Sequence, residues 1–153
     1  MKTDGNINQK EMFFKKYKKL KWLAYHDSLT GLLNRNWLYE NMHTIKQGYV
    51  YFIDINDLKE VNKKGHTYGD QYIIDVINEI SSYIDSKNDI FIRYAGDEFI
   101  LFTDSVQLNT CKLYSVGEAE VSPGHTIFGN LGIRNAINFA DSNMIINKEK
   151  FKK

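Results

Sequence analysis

Tyr94-Ala95-Gly96-Asp97-Glu98-Phe99 stands between two runs of strand-like composition, Phe91-Ile92-Arg93 before it and Phe99-Ile100-Leu101-Phe102 after it. A small residue and a glycine at the join of two such runs signal a β-hairpin. The glycine lets a backbone or a ligand approach closely, and Asp97 and Glu98 put hard oxygen donors at a defined position on the bend. That combination suits a metal ion held beside a phosphate. Taken alone, the hexapeptide reads equally as a solvated turn with ordinary acids. The rest of the chain decides between the two.

Upstream, Tyr49 to Ile55 is a nearly continuous apolar and aromatic run, the composition of a strand covered on both faces. Asp54 near its end is costly to bury and calls for a cation, a metal or backbone donors. Strand ends are also where sites form in open α/β sheets. Capping of the following loop is the alternative role. The polar stretch from Asn56 to Asp70 is broken at Gly65 and Gly69 and precedes a helix predicted from about Gly69 to Ile84, with Ile73, Ile74, Ile77, Ile80 and Ile84 inward. Asn62 and Asp70 offer donors and acceptors to a ligand's edge, or serve as a cap and a turn residue. His66 has no partner at metal-ligand spacing and reads as structural.

Beyond the hairpin, Thr103 to Asn109 is a polar connection, Thr110 to Val121 reads as a strand around Gly117, and Ser122-Pro123-Gly124 as a turn. A last helix is predicted over roughly Ile133 to Lys150, with Ile137, Ala140, Met144 and Ile145 inward. Lys148 and Lys152 lie at its end, where cations suit the helix dipole.

Toward the N-terminus, residues 1 to 8 read as a loose leader. From about Gln9, Phe13, Tyr17, Leu20 and Ala24 form the narrow stripe of an amphipathic helix, which could dock on the domain body, pair with a second copy or lie on a membrane surface. The segment His26 to Arg35 is a turn between helices, in which Asp27 and Arg35 could pair. The next helix starts near Asn34 or Asn36, carries Trp37, Leu38, Met42 and Ile45, and is closed by Gly48.

Composition sets the outer limits. A chain of 153 residues suits one domain with its own core. A net charge of +1 gives no nucleic-acid-type electrostatic footprint, so no nucleic-acid polymer is expected as partner. The single Cys111 cannot close an internal disulfide and fits a reducing compartment. No apolar run reaches the length of a bilayer span, and the expected location is the cytoplasm.

Asp27-Ser-Leu-Thr-Gly-Leu-Leu-Asn-Arg35, Asp54-Ile-Asn-Asp-Leu-Lys59 with Asn62, Gly65-His66-Thr-Tyr-Gly69-Asp70, and Arg93-Tyr-Ala-Gly-Asp-Glu-Phe99 stand in the order of the GGDEF family, with an AGDEF signature. The chain thus resembles bacterial diguanylate cyclases, which condense two GTP into cyclic di-GMP. The resemblance implies an α/β (α+β) fold: a palm-like nucleotidyl cyclase sheet flanked by helices, following an N-terminal amphipathic helix. It divides the chain into a leader and helix over 1–25 and a catalytic domain over 26–153. Carried over residue by residue, Asp54, Asp97 and the Ile55 carbonyl would hold Mg²⁺ or Mn²⁺, and Glu98 and Arg93 would join Asp97 in catalysis. Asn62 and Asp70 would read guanine, while Lys59, Arg93, Lys148 and Lys152 would face the triphosphate. With one GTP per subunit, the stoichiometry implies a homodimer, at least a transient one.

The chain also departs from the family's pattern. Ala95 replaces the first signature glycine, and the Asn62–Gly65 loop is one residue short with Lys63 where an Asp is common. Ser86-Lys87-Asn88-Asp89 lacks the Arg of the product-inhibition motif, so no strong feedback site is expected. A helix after Phe102 is expected to be missing, and Lys152 takes the place of the final Arg.

Overall fold

The structure, a computed structural model, describes residues 4–46, 48–85, 87–104, 115–116, 119–129 and 131–151. Cys111, Lys152, the connection at 105–114 where a helix is expected to be missing, and most of the segment read as a strand before Val121 lie outside the described residues.

Chain order runs α1 (Asp4–Tyr25), β1 (Leu33–Asn34), α2 (Arg35–Asn41), a 3-10 turn (Met42–Thr44), β2 (Gly48–Ile55), α3 (Leu58–Asn62), α4 (His66–Ser81), β3 (Ile90–Arg93), β4 (Glu98–Thr103), β5 (Ser115–Val116), β6 (Ala119–Phe128) and α5 (Ile133–Phe151). The strands form a six-stranded sheet in the order β1-β3-β4-β2-β6-β5. Among the described residues only β1 and β3 pair in parallel. The helix-flanked α/β sheet expected from the sequence is present.

β2 sits inside the sheet, paired with β4 on one side and β6 on the other. Its side chains alternate between the faces. Tyr51, Ile53 and Ile55 pack with Ile73, Val76, Ile77 and Ile80 of α4, while Val50 and Phe52 pack with Leu38 of α2 and Ala136, Ala140 and Met144 of α5. Burying both faces explains why β2 is apolar almost throughout. Each fully buried side chain of this kind contributes about 1.5–3 kcal/mol.

Several expectations are corrected. The helix expected to run to Lys46 stops at Asn41, and Gly48 opens β2 with φ 121 instead of closing the helix. The polar stretch after β2 holds a short helix, α3, and α4 starts at His66 because Gly65, at φ 123, breaks the chain ahead of it. Ser122-Pro123-Gly124 is strand, not turn. Among the described residues its outer neighbour β5 reaches only Ala119 and Glu120, so no described strand meets the outer side of Pro123 and its missing N–H is tolerated. A Cβ on Gly124 would fall 2.0 Å from the Met144 nitrogen and 2.1 Å from the Ala140 carbonyl. That glycine therefore lets α5 settle directly on the strand. Ile145, expected inward, is 48% exposed. The 3.6-residue repeat carries the buried row through Ala136, Ala140 and Met144 and leaves Ile145 turned away.

α1 starts at Asp4, so residues 4–8, expected in a loose leader with the helix from about Gln9, are already helical. α1 is exposed from residue 8 to residue 24, with Phe13 67% and Leu20 56% exposed, so this stretch does not dock on the domain body. Lys16 and Lys21 flank its apolar stripe, and docking it would bury cations. The end of α1 meets α2 where the Tyr25 hydroxyl donates to Glu40, and Trp22 stacks on His26 at 4.8 Å. No helix among the described residues is long and apolar enough to cross a membrane.

Candidate active site

The sheet register does most of the assembly. Asp54, the last polar residue of β2, lies directly opposite Glu98 of β4 and Ser122 of β6. Residues opposed across antiparallel strands project from the same face, their Cβ atoms about 5 Å apart. That face is the one covered by α5, which delivers Lys148: its Nζ lies 2.5 Å from Asp54 Oδ1. Asp54 is buried, and its carboxylate thus has the cation its burial calls for. Ser122, also buried, donates its hydroxyl to Asn56 Oδ1 at 3.0 Å.

One residue further, the ladder runs into the signature turn. The Ile55 N–H donates to the Asp97 carbonyl at 2.9 Å, and the Asn56 N–H to the Glu120 carbonyl at 2.9 Å. By antiparallel alternation both backbone polar groups of Ile55 then face the turn, its carbonyl included. The turn is closed by Tyr94 and Ala95 N–H groups on the Glu98 carbonyl, at 2.8 and 3.2 Å.

The carboxylates act on one another. The Glu98 pKa is raised first by burial, then by the negative charges of Asp97, Asp54 and Asp141, with Lys148 opposing. Asp54 and Asp97 thus both lie within electrostatic reach of Glu98. Asp141 is an addition that sequence reading missed. Its only signal is position: it lies seven residues, two helical turns, before Lys148 on the same side of α5.

Arg93, expected to join catalysis and face the triphosphate, bonds to the signature turn and to Asp27. Its Nη1 donates to Asp27 at 2.9 Å, while Nε and Nη2 donate to the Gly96 carbonyl at 3.1 and 2.8 Å. The guanidinium therefore holds the signature turn to the segment that follows α1. Asp27 in turn accepts from the Thr30 N–H and hydroxyl, both at 2.8 Å. The expected pairing of Asp27 with Arg35 is thereby corrected: Arg35 lies over the rings of Tyr39 and Tyr94, 5.9 and 5.7 Å from their centroids. Arg93 wins because β3 presents it beside Asp27, whereas Arg35 starts α2 and leans along that helix.

A second group forms on α3 and α4. Asn62 lies against Gly69, where a Cβ would sit 1.9 Å from Asn62 Oδ1, so the glycine makes room for this amide next to exposed Asp70. In the short loop between the helices Lys63 bonds Glu60 at 2.6 Å. Lys59 is exposed on α3.

Among the described residues, no three His, Cys, Asp or Glu side chains form a ready metal-binding group. Mg²⁺ rarely has such a cage. It is typically bound by one or two carboxylates together with substrate phosphates and water. Asp54, Asp97 and the Ile55 carbonyl, all hard oxygen donors at one mouth, fit an ion delivered with a phosphate ligand.

Comparison with known proteins settles the family. The description "Diguanylate cyclase, GGDEF domain" matches residues 24–138. This chain belongs to the GGDEF domain family. Among similar proteins, the diguanylate cyclase DgcP of Escherichia coli is 32% identical over 87 residues, covering 51% of this chain and 25% of DgcP. The cyclic di-GMP phosphodiesterase NbdA of Pseudomonas aeruginosa is 37% identical over 97 residues, covering 58% of this chain and 12% of NbdA. The chain thus spans a quarter or less of these relatives. Among solved structures, the coiled coil and GGDEF domain of DgcB from Caulobacter crescentus, in complex with c-di-GMP, superposes with a TM-score of 0.77 at 19% identity, covering 95% of this chain and 92% of that one.

The Arg93 clamp makes a pH-dependent prediction. Burial opposes ionisation of Asp27, but Arg93 and the two Thr30 donors outweigh it and lower its pKa below the ordinary 3.8. The carboxylate's stabilisation is therefore fully present above pH 3.8 and is lost as pH falls through the lower folded-state value. Asp27→Asn should cost about 1–2 kcal/mol in urea titrations at pH 7. The gap from wild type should close as the titrations are repeated toward pH 3.

Proposed function

We propose that this chain is a diguanylate cyclase, condensing two GTP into cyclic di-GMP with release of pyrophosphate. The observation that carries this reading is the meeting of Asp54, Asp97, Glu98 and Lys148 at one mouth of the sheet, on a fold shared with this family. On this reading residues 1–25 are a leader and helix, and 26–153 the catalytic domain.

Attack of a ribose 3′-hydroxyl on an α-phosphate develops charge on the nucleophile and on the leaving pyrophosphate. A divalent ion, Mg²⁺ or Mn²⁺, supplies the Lewis acidity and charge neutralisation this needs. Asp54, Asp97 and the Ile55 carbonyl would hold it. Glu98, whose pKa is raised by burial and then by its acidic neighbours, would accept a proton at the same mouth. Lys148 brings positive charge for the triphosphate, with Lys59 and Lys152 as further candidates. Asn62 and Asp70 would read the guanine edge. Arg93 serves as a positioning residue, since its guanidinium is engaged with the turn that carries Asp97. A facing second protomer with its own GTP completes the reaction.

The alternative is an impaired module of the same fold that binds GTP or a protein partner as a regulator. The shortened Asn62–Gly65 loop, with Lys63 committed to Glu60, favours it. Incubation with GTP and Mg²⁺ or Mn²⁺, analysed by chromatography and mass spectrometry, separates the two. Cyclic di-GMP is expected. GTP binding without any cyclic dinucleotide would select the regulator. Asp97→Ala should abolish product while its thermal unfolding stays close to wild type, because a turn acid adds little to the core.

Guanine reading has its own test. Gly69→Ala drives a Cβ against both Oδ1 and Cγ of Asn62, at 1.9 and 2.8 Å, and must displace the amide, while alanine favours the helix, so stability should change by no more than about 1 kcal/mol. GTP affinity measured by calorimetry should nevertheless fall about tenfold through loss of the displaced amide's hydrogen bonds.

A further inference from the structure

The ion pair at the mouth does more than neutralise a buried acid. Asp54 is buried, while the Lys148 side chain is 31% exposed and so has an open side through which its ammonium can leave. Glu98 lies directly opposite Asp54 across the β2–β4 ladder, and Asp141 lies two turns before Lys148 on the same side of α5, so the pair sits among further acids. The root of Lys148 is fixed. The neighbouring Asn147 amide donates to the Pro123 carbonyl at 2.8 Å, the Asn143 amide donates to the His125 carbonyl at 2.8 Å, and the helix backbone rests on Gly124. A change of partner therefore moves the flexible lysine stem and not α5.

Resting on the cyclase reading, we infer that Lys148 is a resident counter-cation which Asp54 exchanges for a divalent ion when a nucleoside triphosphate is present to receive the ammonium. A free ion must separate the ammonium from Asp54 while bringing no anion of its own to receive it. An ion arriving with a triphosphate brings the new partner along, and both exchanges are satisfied at once. The site thus disfavours bare metal and selects the metal–nucleotide complex. Because such coupling is reciprocal, nucleotide tightens metal binding and metal tightens nucleotide binding by the same factor. Arginine at 148 preserves the resident cation, whereas glutamine removes it.

The test is Mn²⁺ binding followed by electron paramagnetic resonance on wild type, Lys148→Gln and Lys148→Arg, with and without a non-hydrolysable GTP analogue. Circular dichroism melts establish that each variant is folded. Without nucleotide, Lys148→Gln should bind Mn²⁺ about tenfold more tightly than wild type, and Lys148→Arg should match wild type. The analogue should tighten Mn²⁺ binding to wild type about tenfold and to Lys148→Gln much less. Equal free-Mn²⁺ affinity in wild type and Lys148→Gln, with the analogue bound normally, overturns the exchange alone. Should Lys148→Gln not fold, wild type by itself decides, since Mn²⁺ affinity indifferent to bound analogue also overturns it. Failure of wild type to bind the analogue at all overturns both the exchange and the cyclase reading.

Discussion

A carboxylate buried at the end of a covered strand must be given a cation, and this requirement at Asp54 governs the arrangement around it. β2 is paired on both edges and packed on both faces, so little of the acid is left to water. Lys148 answers from α5, which can come near enough because Gly124 has no side chain. The same register that buries Asp54 sets Glu98 beside it and draws the signature turn against Ile55. Fold stability and site chemistry thus share one set of contacts.

The signature turn is held from a second direction. Arg93 ties the Gly96 carbonyl to Asp27, which follows directly on the exposed helix α1. The hydrogen bonds from Thr30 and Arg93 to Asp27 and from Arg93 to Gly96 thus join the turn to the segment that follows α1. The polar cleft beside this clamp, about 550 Å³ and lined by Asn34, Arg35 and Tyr94 among others, belongs to that junction and not to the acidic mouth.

Much of the fold was legible because its strongest elements are extreme in composition. The apolar run of β2 and the paired runs of the β3–β4 hairpin admit few readings, and the isoleucine row of α4 fixes its inner face. Most failures were at glycines and at the one proline, whose local preference depends on neighbours that sequence does not name. Gly69 reads as a helix start but accommodates Asn62 within α4, and Pro123-Gly124 reads as a turn but serves an edge strand under a close helix. For the site, motif order put forward Asp54, Asp97 and Glu98. The partners of the charged residues could not be read in the same way. Asp27 takes Arg93 across 66 residues and not nearby Arg35, and Asp141 enters only through the packing of α5 on the sheet.

What remains is whether these oxygens grip one ion. Crystals grown with Mn²⁺ and a non-hydrolysable GTP analogue, measured at a wavelength where manganese scatters anomalously, give the most direct answer. An anomalous peak within bonding distance of Asp54, Asp97 and the Ile55 carbonyl is expected, with the triphosphate completing its coordination. A nucleotide bound elsewhere on the domain, with no peak at this mouth, would contradict it.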